Sequence, residues 1–396
     1  MISLATTFSG IGAIEQAFLK SEISHTLVFA CDNGERTPSF DINNILTIFN
    51  AIGFNDDAFI SKIKKANGSL SDIYELLRTL PSDILKLFTA SLYNATKKEN
   101  KQKKTFFANY EIDDNRWFED LRLLDGTPFL NKIDLFVGGS PCQAFSSNGK
   151  RGGLNDTRGT LFYEYCRLIQ EIQPKSFIFE NVQGLLIHDH GHTWEVVKSS
   201  FYNLGYDIYI NHTKEGNESP LLDAQDYGIP QRRKRIFLIG IKKGCSSKKF
   251  IFPKKIKLTS KVDDYLDKRV DAKYYLGKKG FDFVTKHPTR ARIAGDIMGC
   301  QKANQQFNWN GDFIFIPLES IKNKEILTKA YVGEYNGKKG VIRKFTPREC
   351  LRLMGFPDSF KIVQPDIEMY RQCGNSIVVN VLQHIVQELF NCGVLQ

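Results

Sequence analysis

An open α/β sheet joined to a second, smaller domain is what the sequence predicts, on three observations. The first residues read as strand, glycine turn and helix. Four more apolar runs of strand length, HTLVFA, LFV, SFIFE and IFLIG, recur before residue 243. At 396 residues the chain also exceeds the size at which one hydrophobic core usually stops growing.

The N-terminal run ISLATTFSGIGAIEQAFLK places Gly10 and Gly12 after an apolar stretch and then Ile14, Ala17 and Phe18 at helical spacing. Glycines let backbone approach a ligand, and a helix start offers free N–H donors. Glu15 stands where a dinucleotide fingerprint needs its third glycine. HTLVFA ends in Cys31-Asp32, about twenty residues after Gly12, with the carboxylate placed to accept hydrogen bonds from a ribose diol. These features indicate a nucleoside-containing cofactor. The incomplete glycine pattern disfavours a pyrophosphate and leaves S-adenosylmethionine as the natural choice.

From about Thr37 to Glu111 the periodic apolar residues of IYELLRTL and ILKLFTASL predict helices ahead of the lysine cluster KKENKQKK. Next, Leu135, Phe136 and Val137 read as a buried strand that Gly138, Gly139 and Pro141 end sharply. Cys142 therefore lies at a strand's carboxyl end, where open α/β sheets bind ligands, a position suited to a nucleophile. SFIFE ends in Glu180. In QRRKR, strand alternation puts Gln231, Arg233 and Arg235 on one face, so that two arginines point into one site. Near the C-terminus Ile377, Val381, Ile385 and Leu389 fall at helical spacing and predict a helix returning to the first domain.

A net charge of +10, with lysines clustered at 97–104 and 242–257, favours a polyanionic partner, nucleic acid first. Eight cysteines without a CxxC pair fit neither a disulfide framework nor a zinc site. No apolar run approaches a membrane span and no signal-peptide layout opens the chain, so a cytoplasmic protein without membrane association is expected. His188, His190 and His192 in HDHGH carry no fourth-ligand pattern, and no metal site is expected.

Seven blocks, in order FSGIG, GSPCQAF, DTRGTLFYEYCRL, FIFENVQGLL, DYGIPQRRKRIFLIG, RKFTPRECLRLMGFP and QCGNSIVVN, make the chain resemble the C5-cytosine DNA methyltransferases of bacterial restriction–modification type. The resemblance implies a Rossmann-like S-adenosylmethionine-dependent methyltransferase sheet with a smaller target-recognition domain. It divides the chain into a catalytic domain (1–243, with the insertion at about 37–111), a target-recognition region (244–342), a linking block (343–369) and a C-terminal helix returning to the catalytic domain (370–396).

By the same resemblance Phe8, Gly10, Ile11 and Gly12 line the cofactor, Asp32 holds its ribose, Asp120 meets the adenine amine, and Leu161 and Asn375 complete the pocket. Ala13 replaces a common glycine, Asp32 stands where glutamate is usual, and about seventy extra residues separate Asp32 from Asp120. The implied reaction is methylation of C5 of a flipped-out cytosine in double-stranded DNA. Cys142 adds to carbon 6, a protonated Glu180 bonds N3, Arg235 takes O2 with Arg233 beside it, and Asn181 orients the catalytic loop or the base. The segment 146–159, with Lys150, Arg151 and Arg158, is expected to close over DNA as a lid. A monomer is expected, with a cognate restriction endonuclease acting on the same site without a stable complex. The alternatives are a tRNA cytosine-5 methyltransferase, a catalytically silent DNA-binding regulator and, more distantly, a nicotinamide dehydrogenase.

Overall fold

The computed structural model describes residues 1–66, 70–140, 161–305 and 309–396. Its large sheet comprises β1 (Ile2–Thr7), β2 (His25–Cys31), β3 (Trp117–Phe118), β4 (Leu135–Gly138), β5 (Ser176–Val182), β6 (Tyr206–Ile210), β7 (Leu221–Asp223) and β8 (Lys234–Lys242). The order is β3-β2-β1-β4-β5-β8-β6, with β7 also paired to β8. Strands β1 to β5 pair in parallel, whereas β8 runs antiparallel to β5, β6 and β7. The five strand-like runs of the sequence are β1, β2, β4, β5 and β8.

Both faces of the sheet are covered, which is why its strands read as apolar runs and not as an alternation. Ile178, Phe237, Ile239 and Ile241 pack on the face shared with α1 (Ala13–Lys20) and α13 (Val379–Asn391). Phe177, Phe179, Ile236 and Leu238 pack on the other, against α7 (Leu161–Ile172) and α8 (His192–Asn203). Every carboxyl end of β1, β2, β4 and β5 is thereby brought to one rim.

The insertion is helical, as its periodicity predicts: α2 (Ile42–Ala51), α3 (Asp57–Lys65), α4 (Leu70–Leu77), α5 (Ser82–Asn94) and α6 (Lys101–Asn109). Phe40, Ile45, Phe49, Leu77, Phe88 and Leu92 give it an apolar core of its own, closed on the sheet side by Leu123.

A second sheet lies within the later part of the chain, in the order β11-β12-β10-β9: β9 (Ala291–Ile293), β10 (Gly311–Pro317), β11 (Gly333–Tyr335) and β12 (Lys338–Arg343). With α9 (Lys278–Lys286) it encloses Leu276, Phe281, Val284, Phe313 and Ile342. The buried Arg343 ends β12 and forms two 2.8 Å bonds to Glu349 in α11 (Pro347–Arg352), tying this sheet to the linking block. Removing either partner would leave a buried charge uncompensated.

The single C-terminal helix expected from spacing is corrected to two. Helix α12 (Asp366–Asn375) ends where Ser376 turns extended (φ −72°, ψ 162°), and α13 starts at Val379. Lys20 at the end of α1 donates to Asn380 in α13 at 2.7 Å, which ties α13 to the first helix of the chain. Among the described residues no helix is long and apolar enough to cross a membrane.

Candidate active site

At the rim, strand register decides which side chains meet. Gly138 pairs with Phe179 across β4 and β5, so the segment leaving β4 emerges beside Glu180 and Asn181. Asn181 Nδ2 donates to the Ser140 carbonyl at 2.8 Å, fixing the chain two residues before Cys142. A Cβ at Gly139 would sit 2.9 Å from both the Glu180 carbonyl and its Oε2, so only glycine lets the carboxylate lie against this backbone. Cys142 itself, like Lys150, Arg151 and Arg158, lies outside the described residues.

Across β5 and β8, Val182 pairs with Arg235 and Glu180 with Phe237, which places Glu180 and Arg235 diagonally on one face. Arg235 Nε lies 3.3 Å from Glu180 Oε1. Burial pushes the Glu180 carboxyl up, opposed by the positive charges of Arg235 and then Arg233, with a net rise. A carboxyl so placed holds a proton more readily than an exposed one.

The alternation read in QRRKR holds, with Gln231 and Arg233 buried and Arg232 and Lys234 exposed. Arg233 donates to the carbonyls of Gln301 (2.7 Å), Gly374 (2.9 Å) and Ser376 (2.7 Å), so it braces the site from below while Arg235 faces it. Burial, followed by repulsion from Arg235, pulls the Arg233 guanidinium down to about 10. Two of its acceptors flank Asn375, which links the arginine strand to the β1–β2 side of the rim.

On that side Phe8 and Gly10 both have φ 53° and Gly12 has φ 80°, a chain of left-handed positions after β1. Among the described residues only the Phe8 carbonyl, at 3.9 Å, comes near a Cβ built on Gly10, which leaves this backbone open to a ligand on their side. The Asp32 carboxylate receives the Gly10 and Gly34 N–H groups, each at 2.9 Å, one on each oxygen. Among the described residues these are the side-chain oxygens' donors, which leaves one acceptor position per oxygen for a diol. Burial raises the Asp32 carboxyl, and those two N–H groups partly offset the rise. The Ile11 side chain is buried in the core, so Ile11 presents only backbone to the pocket. Leu161 opens α7, and Asn375 reaches Glu35 at 3.3 Å.

Asp120 departs from expectation. Its Oδ1 accepts from the Arg122 backbone N–H (3.0 Å) and Nε (2.9 Å), and its Oδ2 from Arg122 Nη2 and Tyr93 Oη (both 2.8 Å). Four donors fill the carboxylate's four acceptor positions, so an adenine amine reaches it only by displacing one of them.

A family model described as C-5 cytosine-specific DNA methylase matches residues 85–391. The chain belongs to this family. It is 35% identical over 293 residues to the Type II methyltransferase M.SsoII of Shigella sonnei, covering 73% of this chain and 71% of that one. It is 36% identical over 270 residues to M.HhaI of Haemophilus parahaemolyticus, covering 65% and 75%. Among solved structures, a triple mutant of Spodoptera frugiperda DNMT2 superposes with a TM-score of 0.58 at 16% identity, covering 98% of this chain and all of that one. The S. pombe Dnmt2 methyltransferase gives 0.56 at 18%, covering 99% of each. These two likenesses are of fold.

The chain is therefore an enzyme, a C5-cytosine DNA methyltransferase of restriction–modification type, in a family that acts on DNA and takes its methyl group from S-adenosylmethionine. Within that frame, sequence reasoning missed three contributors to the rim. Tyr93, Asn100 and Tyr110 all come from the insertion. The Tyr110 hydroxyl donates to the Gly12 carbonyl at 2.6 Å, and Asn100 Nδ2 to the Asp32 carbonyl at 2.8 Å. The only sequence signal was Asn100 itself, a helix-capping residue inside a lysine run, whose Oδ1 accepts from the Lys103 N–H at the start of α6.

Proposed function

We propose that the enzyme methylates C5 of a cytosine extruded from a specific duplex DNA sequence, through a transient bond between Cys142 and carbon 6. Cytosine C5 is a poor nucleophile, and a thiolate adding to C6 raises the electron density there. Charge then develops at N3 and O2. Glu180, biased by burial toward its protonated form, donates to N3, and Arg235 donates to O2; general-acid help of this kind contributes roughly 10²- to 10⁴-fold. Asn181 holds the loop root at Ser140 so that Cys142 meets the base. S-adenosylmethionine, when bound, would supply the electrophilic methyl group, the pair of the broken carbon–sulfur bond remaining on sulfur as a neutral thioether. Once C5 has formed its bond to that methyl, water removes the C5 proton, and the electron pair expels the Cys142 thiolate.

The observation that carries this reading is the Glu180–Arg235 pair beside a backbone anchored by Asn181. The open Gly10 backbone and the two remaining acceptor positions on Asp32 suit an uncharged ribose and call for no phosphate. Extruding the base costs a few kcal/mol; the 146–159 segment expected to act as a lid lies outside the described residues. Residues 244–342, which include most of the second sheet, read the major groove, where the four base pairs are distinguishable. Residues 343–369 join them to the catalytic domain at 1–243, to which 370–396 return. The enzyme works as a monomer in the cytoplasm, and a cognate endonuclease meets the same DNA site separately.

The test is methyl transfer from labelled donor to duplex DNA and to tRNA, followed by nucleoside analysis. 5-Methylcytosine in the DNA is the expected product. Label confined to tRNA, or on an exocyclic nitrogen, overturns the reading.

A further inference from the structure

The insertion touches the cofactor rim at three successive strand ends. Tyr110, just past α6, lies beneath the glycine turn after β1, so close that a Cβ at Gly12 would fall 2.1 Å from its ring, and its hydroxyl holds the Gly12 carbonyl. Asn100, capping α6, holds the Asp32 carbonyl after β2. Tyr93, at the end of α5, holds the Asp120 carboxylate after β3. The same helix α6 is pinned to α12 on its far side. Lys101 pairs with Glu368 at 2.8 Å, Thr105 donates to Gln372 at 2.9 Å, and α12 carries Asn375 at its end.

The lysine run that reads as a DNA-binding surface is largely engaged within the protein. Besides Lys101, Lys103 pairs with Asp114 (2.6 Å) and Lys104 with Glu99 (3.2 Å), and Lys98 donates to the Glu35 carbonyl (2.9 Å). With its own apolar core behind it, the insertion is a packed body bearing on the pocket.

We propose that the 37–111 insertion sets the enzyme's affinity for S-adenosylmethionine, with Tyr93, Asn100 and Tyr110 as positioning residues that hold the β1, β2 and β3 ends in binding geometry. The proposal rests on the reading that the cofactor occupies this rim. None of the three needs to touch the cofactor. Each fixes a backbone or carboxylate whose movement would otherwise have to be arrested on binding, and preordering of that kind raises affinity without new contacts.

The test uses full-length enzyme with Asn100→Ser, which removes the donor to the Asp32 carbonyl and keeps a capping oxygen, and Tyr110→Phe, which removes one oxygen and keeps the ring. Calorimetry gives the dissociation constant for S-adenosylmethionine, anisotropy gives that for labelled duplex DNA, and steady-state kinetics separates KM from kcat. Losing one hydrogen bond should raise the cofactor's Kd and KM about 3- to 10-fold in each variant. DNA affinity and kcat at saturating cofactor should stay at wild-type values. Unchanged cofactor affinity in both variants, or DNA affinity falling in parallel, overturns the proposal. A wild-type enzyme that binds no S-adenosylmethionine overturns instead the cofactor reading on which it stands.

Discussion

The two halves of the rim are built by different means. At the β4–β5–β8 half, Gly139, Glu180, Asn181 and Arg235 meet because paired strands put them in register, and little outside the sheet is needed beyond the Arg233 brace. At the β1–β2–β3 half, the glycine turn, Asp32 and Asp120 are each held by a side chain from the insertion. The difference teaches that the half proposed for the chemistry depends on strand pairing common to the whole sheet, whereas the half proposed to hold the cofactor depends on contacts from the insertion. Substitutions in the first should change turnover, and substitutions around the second should change binding or stability.

The largest effect is expected from Cys142→Ser, which should reduce methyl transfer to background while duplex DNA still binds. Turnover at the wild-type rate in that variant would remove Cys142 from the chemistry. Next, Glu180→Gln should lower kcat by about 10²- to 10⁴-fold, as loss of a general acid does. Arg235→Ala should cost about 10²- to 10³-fold, as loss of one donor to a developing charge does. Both should leave the cofactor's Kd unchanged, and a matching rise in that constant would erase the contrast between the halves.

Arg233→Ala sharpens the contrast within one strand. It strips three buried carbonyls of their donor, so thermal or urea unfolding should show a loss of about 3 kcal/mol or more. For the partly exposed Arg235→Ala the same measurement should show under about 1 kcal/mol. Equal losses would mean that Arg233 is no brace.

The least change in activity is expected at Glu15, buried beneath the glycine turn, whose carboxyl burial pushes up from the ordinary 4.5 to about 8. The folded state therefore keeps a proton that the unfolded chain releases. Stability should fall as pH rises from about 4.5 to about 8 and then level off. Glu15→Gln should flatten that part of the melting-temperature profile, and an unaltered profile would place the titration elsewhere.

The positions of Gly139, Glu180 and Arg235 were legible in the sequence because they bound apolar runs, and the bounds of a run mark the rim of a sheet. The helices of the insertion were legible from their periodicity. Their role was not, because Tyr93, Asn100 and Tyr110 act through hydrogen bonds to residues 27 to 98 positions away, a relation that leaves no periodic trace. The internal partners of the lysine run were hidden for the same reason, since charge is visible in a sequence and the group that pairs with it is not. Asp120 was found as a position while its four donors were not. The break at Ser376 was hidden because Ile377, Val381 and Ile385 keep helical spacing across an extended segment that Arg233, far away in the chain, holds by its carbonyls.

The most direct test of the central claim is incubation with S-adenosylmethionine and duplex DNA carrying 5-fluorocytosine in place of cytosine, followed by mass mapping of the protein. Fluorine cannot leave C5 as a proton does, so the account predicts a stable adduct on the peptide containing Cys142, with C5 methylated. No covalent complex, or one at a different residue, would contradict it.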